Sequence, residues 1–328
     1  MTAPVVPVAI ACGGILIDSV VTACGRINEN ALGGNAVYAA AALRLWLGAG
    51  RVGIVGHIPA NYPPHLLDRL RDAGLLTDGI HRSAVAVRGP EWFFYAQDGS
   101  RRDEVSSPDD GDADPDFPTF RRTHPIRPAA IPAPWRAAQG LHLAGNDPAA
   151  TLDLAVAMRG AHVTLDPGAR AGDLAACPDM ARVLAAVTAV IPSLKELQVL
   201  APGQDQGAAL TALHRGGAPL ALVKRGTTGV LLRMTDGTLT AIPAIPVVAL
   251  DPTGAGDSFC GGFLAGLLLG RDPVVAACMG TVAASFAVES FGPDGLLTAT
   301  PQQRDDRLSD LAARIGHLPS IPTISSVS

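Results

Sequence analysis

No stretch of this 328-residue chain is apolar for the length of a membrane span without a charge, Pro or Gly interrupting it, so a transmembrane helix is not expected. The opening residues, Met1-Thr2-Ala3-Pro4, carry no basic segment, and no secretory signal is expected. The five cysteines show no Cys-x-x-Cys spacing. That argues against a metal site or disulfide framework and for small buried thiols in a reduced, cytoplasmic compartment. Positive charge is not in excess either: the formal net charge is −5, which disfavours nucleic acid as a partner. Only Lys195 and Lys224 are lysines. Two nucleotide motifs are missing. There is no Gly-x-x-x-x-Gly-Lys-Ser/Thr loop and no Gly-x-Gly-x-x-Gly after the first strand, which disfavours a P-loop ATPase and a dinucleotide-dependent dehydrogenase. No internal repeat is evident.

What is present is an apolar, alanine-rich sequence, 48% hydrophobic and 17% charged, long enough to bury a large core in one or two domains. Val5 to Ala11 is a continuous apolar run of the kind found in strands buried on both faces. Val52–Val55, Gly140–Ala144, Val163–Asp166 and Ala189–Ile191 repeat that pattern. Ala36–Leu47 and His65–Ala73 read as helices, each followed by glycine, with Ala31–Gly34 as a loop. Val274–Val288 and Pro301–Ile315 read as the last helices. This alternation predicts an α/β protein: three layers, with a central, mostly parallel sheet covered by helices on both faces.

Residues 84–97 break the alternation. Val85-Ala86-Val87 and Trp92-Phe93-Phe94-Tyr95 are β-prone, and Asp98-Gly99 signals a turn, which predicts a hairpin outside the main sheet. Residues 106–135 are rich in Pro and Asp, among them Pro108, Asp109, Asp110 and Asp112, and then in Arg and Pro. They read as a surface loop or partly ordered insertion.

The most informative run is Leu250-Asp251-Pro252-Thr253-Gly254-Ala255-Gly256-Asp257-Ser258-Phe259. It follows a β-like apolar stretch, Ile245–Leu250, and precedes a helix-like one, Ser258–Leu269. A Gly-Ala-Gly turn entering a helix presents free backbone N–H groups, and the helix dipole adds partial positive charge. Placing the carboxylate of Asp257 beside an anion site makes chemical sense when the anion is a phosphoryl group in transit and the carboxylate accepts a proton from the attacking hydroxyl. A helix-entry Asp that only complements the dipole is the simpler alternative.

Asp-x-x-Gly-Ala-Gly-Asp resembles the C-terminal signature of the ribokinase-like (PfkB) carbohydrate kinases. Gly33-Gly34-Asn35-Ala36, Lys224-Arg225-Gly226-Thr227-Thr228-Gly229 and Pro192-Ser193-Leu194-Lys195-Glu196 resemble three further motifs of that family, in family order, over about residues 8–300. In the last of these, Ser193 stands where the family usually has Asn. The resemblance implies one kinase domain over residues 1–316, a small β-lid from segments near 14–32 and 84–97, and a flexible tail over 317–328. It implies an ATP- and Mg²⁺-dependent phosphotransferase acting on an alcohol of a sugar, polyol or nucleoside. Asp257 would be the general base and the amides of Gly254, Ala255 and Gly256 the anion hole. Asp18, Gly33, Gly34 and Asn35 would bind the acceptor. Tyr38, where the family often has Asn, would line the same pocket and help set specificity. Lys224, Gly226, Gly229 and Ser193 would face the nucleotide, and Glu196 would hold Mg²⁺ through water. A monovalent cation near Ser285 and Phe291–Gly295, and a homodimer formed through the lid, are left open, as is a kinase-fold binding protein without turnover. No membrane partner is implied.

Overall fold

The computed structural model describes residues 5–97, 101–105 and 114–315. The turn expected at Asp98-Gly99, the acidic run from Pro108 to Asp112 and the tail over 317–328 lie outside the described residues. The chain opens with β1 (Ala9–Cys12), followed by β2 (Leu16–Val21), β3 (Ile27–Gly33) and α1 (Asn35–Leu47). Then come β4 (Val52–Ile58), α2 (Pro64–Asp72), β5 (Leu76–Arg82), β6 (Glu91–Tyr95), β7 (Arg101–Val105) and α3 (Phe117–Thr123). Alternation resumes with β8 (Gly140–Ala144), α4 (Pro148–Ala157), β9 (His162–Asp166), α5 (Ala171–Ala175), α6 (Met180–Ala185), β10 (Ala189–Val190), α7 (Leu194–Leu200), α8 (Gln206–Arg215) and β11 (Leu220–Lys224). After β12 (Val230–Arg233) and β13 (Leu239–Ile242), four helices close the chain: α9 (Ala255–Leu268), α10 (Pro273–Ala287), α11 (Asp294–Thr298) and α12 (Pro301–Ile315).

The main sheet has nine strands in the order β13-β12-β11-β10-β9-β8-β1-β4-β5. It is parallel from β11 to β5, and β12 and β13 add an antiparallel edge. Successive side chains of a strand point to opposite faces, and here both faces are buried. In β1, Ala9 and Ala11 join the apolar cluster that includes α1, α9 and α10, while Ile10 and Cys12 join the cluster on the other face with α4, α6 and α8. In β11, Leu220 and Leu222 lie in the first cluster and Ala221 and Val223 in the second. Small residues let the central helices come close together. A Cβ at Gly261 of α9 would collide with the carbonyl of Ala39 in α1, so Gly here trades helix propensity for close packing. No helix of the described residues is long and apolar enough to cross a membrane.

A second sheet of four strands, β3-β2-β6-β7, stands apart from the first. The expected lid segments supply β2, most of β3 and β6, while β7 lies beyond them; β2 and β6 pair parallel, and β6 and β7 pair antiparallel.

Four local expectations are corrected. Residues 31–33 are the end of β3 rather than loop, paired with Leu16–Asp18. Val85–Val87 is not a strand. The side-chain amide of Asn61 takes both backbone groups of Val87, at 2.8 and 3.1 Å, so no ladder is needed there. Ile245–Leu250 is also not a strand. Pro243 and Pro246 lack N–H donors, and Val248 is 91% exposed. Finally, residues 114–135 are not merely a surface loop. Asp116 caps α3, accepting from the Thr119 N–H at 2.8 Å, and Phe117 and Phe120 are buried with Leu16 and Val87. Trp135 is 2% exposed, and its indole N–H donates to the Val5 carbonyl at 3.1 Å. These burials depend on partners distant in sequence, which composition does not reveal.

Candidate active site

The Asp251–Asp257 run forms the turn that enters α9. The Thr253 N–H donates to Asp251 Oδ1 at 2.9 Å, tightening the turn from inside. Gly254 follows at φ +74°, a conformation that disfavours any side chain. The ring of Tyr38 lies directly beneath it, and a Cβ at Gly254 would overlap that ring. The Ala255 N–H reaches the Pro252 carbonyl at 3.3 Å, and the Ser258 N–H and hydroxyl both donate to the Gly254 carbonyl, at 2.8 and 2.7 Å. The first turn of a 14-residue helix, with its partial positive charge, thus follows this turn directly.

Asp257 lies in that first turn. Its carboxyl is pushed up to about 7, first by burial, then by the charge of Asp166, with Glu196 adding and Lys224 and Arg121 opposing. A carboxyl near neutrality is well matched to taking a proton from a hydroxyl.

Asp18 of β2 is 3% exposed and its carboxylate lies against Gly33, where a Cβ would overlap it. The Gly34 amide supports the carboxylate, while Oδ1 has no partner among the described residues. Burial, then Glu91 and Asp251, raise its pKa well above the usual carboxylate range. A buried acceptor without donors is costly, and ligand hydroxyls are suitable donors. Asn35, at the start of α1, accepts from the Gly14 N–H through Oδ1 at 2.6 Å. It therefore ties α1 to the loop after β1, and does not cap its own helix.

Tyr38 is 1% exposed and packs in the main apolar cluster. Its ring supports the Gly254 turn from below, and its Oη, which has no partner among the described residues, lies in the field of Asp18, Asp251 and Asp257. Neighbouring Asn35 is half-buried.

Behind Asp257 is a charged cluster. The Lys224 ammonium contacts Asp166 Oδ2 and lies 3.9 Å from Cys260 Sγ, and a Cβ on Gly256 would be 3.3 Å from Nζ. Asp166 first, then Cys260 and Glu196, raise the Lys224 pKa against its burial. Lys224 thus holds the turn from behind rather than extending toward solvent. Ser193 and Glu196 form a capping box on α7: the Ser193 N–H donates to Glu196 Oε2 at 2.7 Å, and Ser193 Oγ accepts from the Glu196 N–H at 3.4 Å. Burial, then Asp166, raise the Glu196 carboxyl, with Lys224 opposing. A carboxylate in such company is one that a cation stabilises. Gly226 and Gly229 lie on the turn between β11 and β12. Gly229 is packed against the Ile242 carbonyl of β13, whereas Gly226 faces open space. Ser285 Oγ is engaged within the helices, donating to the Val282 carbonyl at 2.7 Å and accepting from Arg307 at 2.8 Å.

Four residues of the site were not singled out in the sequence. Asp166 ends β9 as an ordinary strand residue by pattern. Asp251 is fully buried, with Oδ2 lacking a partner among the described residues. Tyr95 reaches from the second sheet to Thr253 Oγ1 at 2.9 Å, joining that sheet to the turn. Arg121 projects from α3 across Gly14 and Gly145, where added Cβ atoms would lie 3.1 Å from Nε and 2.8 Å from a terminal nitrogen. The aromatic cluster at 92–95 was a usable signal for Tyr95; nothing local marked Arg121.

Residues 15–299 match the pfkB family of carbohydrate kinases. The chain is 30% identical over 167 residues to a cytidine kinase of Thermococcus kodakarensis, a match covering 49% of this chain and 59% of that one. It is 27% identical over 322 residues to a fructokinase of Salmonella typhimurium, covering 89% and 96%. Its fold is similar to that of a ribokinase II from E. coli solved with ATP and Mg²⁺, with a TM-score of 0.71, 18% identity and coverage of 93% and 100%. The family match spans the second sheet, the main sheet except β1, and all four motifs, and the chain belongs to the pfkB family of carbohydrate kinases.

Proposed function

We propose that this protein transfers the γ-phosphoryl group of ATP to an alcohol of a sugar, polyol or nucleoside. The observation that carries the reading is Asp257, a carboxyl raised to about 7, directly after Gly254-Ala255-Gly256 in the first turn of α9. Asp257 accepts the proton of the attacking hydroxyl, and the amides of Gly254, Ala255 and Gly256 receive negative charge from the phosphoryl group. Asp18 accepts hydrogen bonds from acceptor hydroxyls, with Gly33, Gly34 and Asn35 shaping that side. Asp166 and Lys224 fix the turn and moderate Asp257 through opposite charges. Mg²⁺, when bound with ATP, neutralises phosphate charge, and Glu196 would hold it through water. Ser193 serves by capping α7 and orienting Glu196. Gly226, on the exposed β11–β12 turn, would meet the outer part of the nucleotide.

In this reading the second sheet closes over the acceptor as part of one kinase domain over residues 1–316, acting in the cytoplasm. Its outer strand β3, with Ile27 58% exposed, would be a surface for a second copy of the chain. The test is ADP release from ATP and Mg²⁺ over a panel of sugars, polyols and nucleosides, with Asp257→Asn as control. Turnover that vanishes in the variant supports the reading. Acceptor binding without ADP release would replace it with a binding protein on a kinase fold.

A further inference from the structure

Arg121 is a guanidinium turned into the recess lined by Gly14 and Gly145. It is half-buried, and among the described residues no carboxylate lies within ion-pair distance of it. Glu91 and Asp257 feel its charge only at longer range. Its position is built. Phe117 and Phe120 anchor α3, and three glycines, Gly13 and Gly14 after β1 and Gly145 after β8, clear the space that its side chain and that of Asn35 occupy. These loops leave the carboxyl ends of two adjacent parallel strands, where α/β sheets bind ligands. His57 and His124 line the same recess. His124 is engaged by Ser83 Oγ at 3.1 Å and by the Phe120 carbonyl at 2.9 Å, while burial and the other histidines lower the His57 pKa. Arg121 is the permanently charged side chain lining the recess.

We infer that the phosphoryl acceptor carries an acidic group, and that Arg121 binds this group in the recess between Gly14 and Gly145. The inference rests on the phosphotransferase reading above and narrows its substrate class. A neutral polyol can accept hydrogen bonds from a guanidinium but cannot offset its charge in a half-buried site. A carboxylate or phosphate ester does both, through two parallel N–H···O bonds. The shared chemistry is a planar or tetrahedral oxyanion on a polyol; a sugar acid and a sugar phosphate are its two sources.

The experiment compares kcat/KM for ADP release with three matched acceptor sets: neutral sugars and nucleosides, sugar acids, and sugar phosphates. Wild type, Arg121→Gln and Arg121→Lys are run side by side. The expected result is a preference of about 10²-fold or more for one acidic set over its neutral counterparts. Arg121→Gln should collapse that ratio mainly through KM, and Arg121→Lys, which keeps the charge and loses the fork, should fall between. Whichever acidic set is preferred identifies the source. Preference for neutral acceptors, or a ratio unchanged in Arg121→Gln, overturns the inference and leaves the kinase reading standing. If no acceptor is turned over, the kinase reading is what fails. Calorimetric titration of the sugar acids and sugar phosphates then decides the inference by itself: binding that Arg121→Gln abolishes upholds it, and binding that is absent or unchanged overturns it.

Discussion

At the scale of single residues, chemistry here depends on where charge is left unbalanced. Asp257 is surrounded by Asp166 and Glu196 on one side and Lys224 and Arg121 on the other, and its raised pKa is the outcome. Asp257→Asn should lower turnover by on the order of 10² or more while leaving nucleotide binding largely intact, measured by ADP release and nucleotide titration. Because the proposed base acts unprotonated, kcat/KM should rise with pH and level off above about 7 in wild type. The same shift has a stability consequence of opposite sign. A carboxyl whose folded pKa lies above its unfolded value contributes stability that is complete below about 4 and is lost as pH rises through about 7. Asp257→Asn should therefore melt higher than wild type at pH 8, by an amount on the order of 1 kcal/mol, with the difference shrinking by pH 5. Equal melting differences at both values would contradict the burial of this charge.

At the scale of elements, the amino end of α9 and the ring of Tyr38 are one unit. Gly254→Ala meets two obstacles, a left-handed backbone and the ring beneath it. We expect a loss of about 2 kcal/mol or more in denaturant unfolding, together with loss of turnover as the turn shifts. Tyr38→Phe keeps the ring and removes a buried hydroxyl that has no partner among the described residues. It should be neutral or stabilising by up to about 1 kcal/mol, with acceptor preference unchanged. A changed preference would return Tyr38 to the acceptor pocket. The α3 helix illustrates the same dependence on partners: its cap at Asp116 is local, but the burial of Phe117 and Phe120 is supplied by Leu16 and Val87.

At the scale of the whole molecule, Tyr95 joins the second sheet to the turn before α9 through its hydrogen bond to Thr253 Oγ1 at 2.9 Å. Removing that hydroxyl in Tyr95→Phe should weaken the junction by about 1 kcal/mol and raise the acceptor KM several-fold. Unaltered kinetics would show that the second sheet is held by its other contacts.

The layered fold was legible because its cause is local and repeated. Apolar runs such as Gly140–Ala144 and Val163–Asp166 become strands covered twice, and helices between them leave parallel pairing as the simple solution, whereas Val5–Ala11 is strand only from Ala9, with Val5 and Val6 exposed. The Gly254–Asp257 turn was legible for a similar reason: small residues before a helix have few other uses. The second sheet showed itself through the break at Trp92–Tyr95. By contrast, the β-like look of Val85–Val87 and Ile245–Leu250 misled, because Asn61 satisfies one backbone and prolines deny the other a ladder. The depth of Tyr38 was not legible, because sequence places it one turn from Asn35 but cannot say how deep that face is buried. Asp166, Lys224 and Arg121 owe their roles to charges brought together from distant segments. The sequence alone determined the layers and the helix-entry turn with its carboxylate, Asp257, through periodicity and backbone chemistry. Only the tertiary structure decided which charges are paired, because pairing depends on distances that the chain sets only when folded.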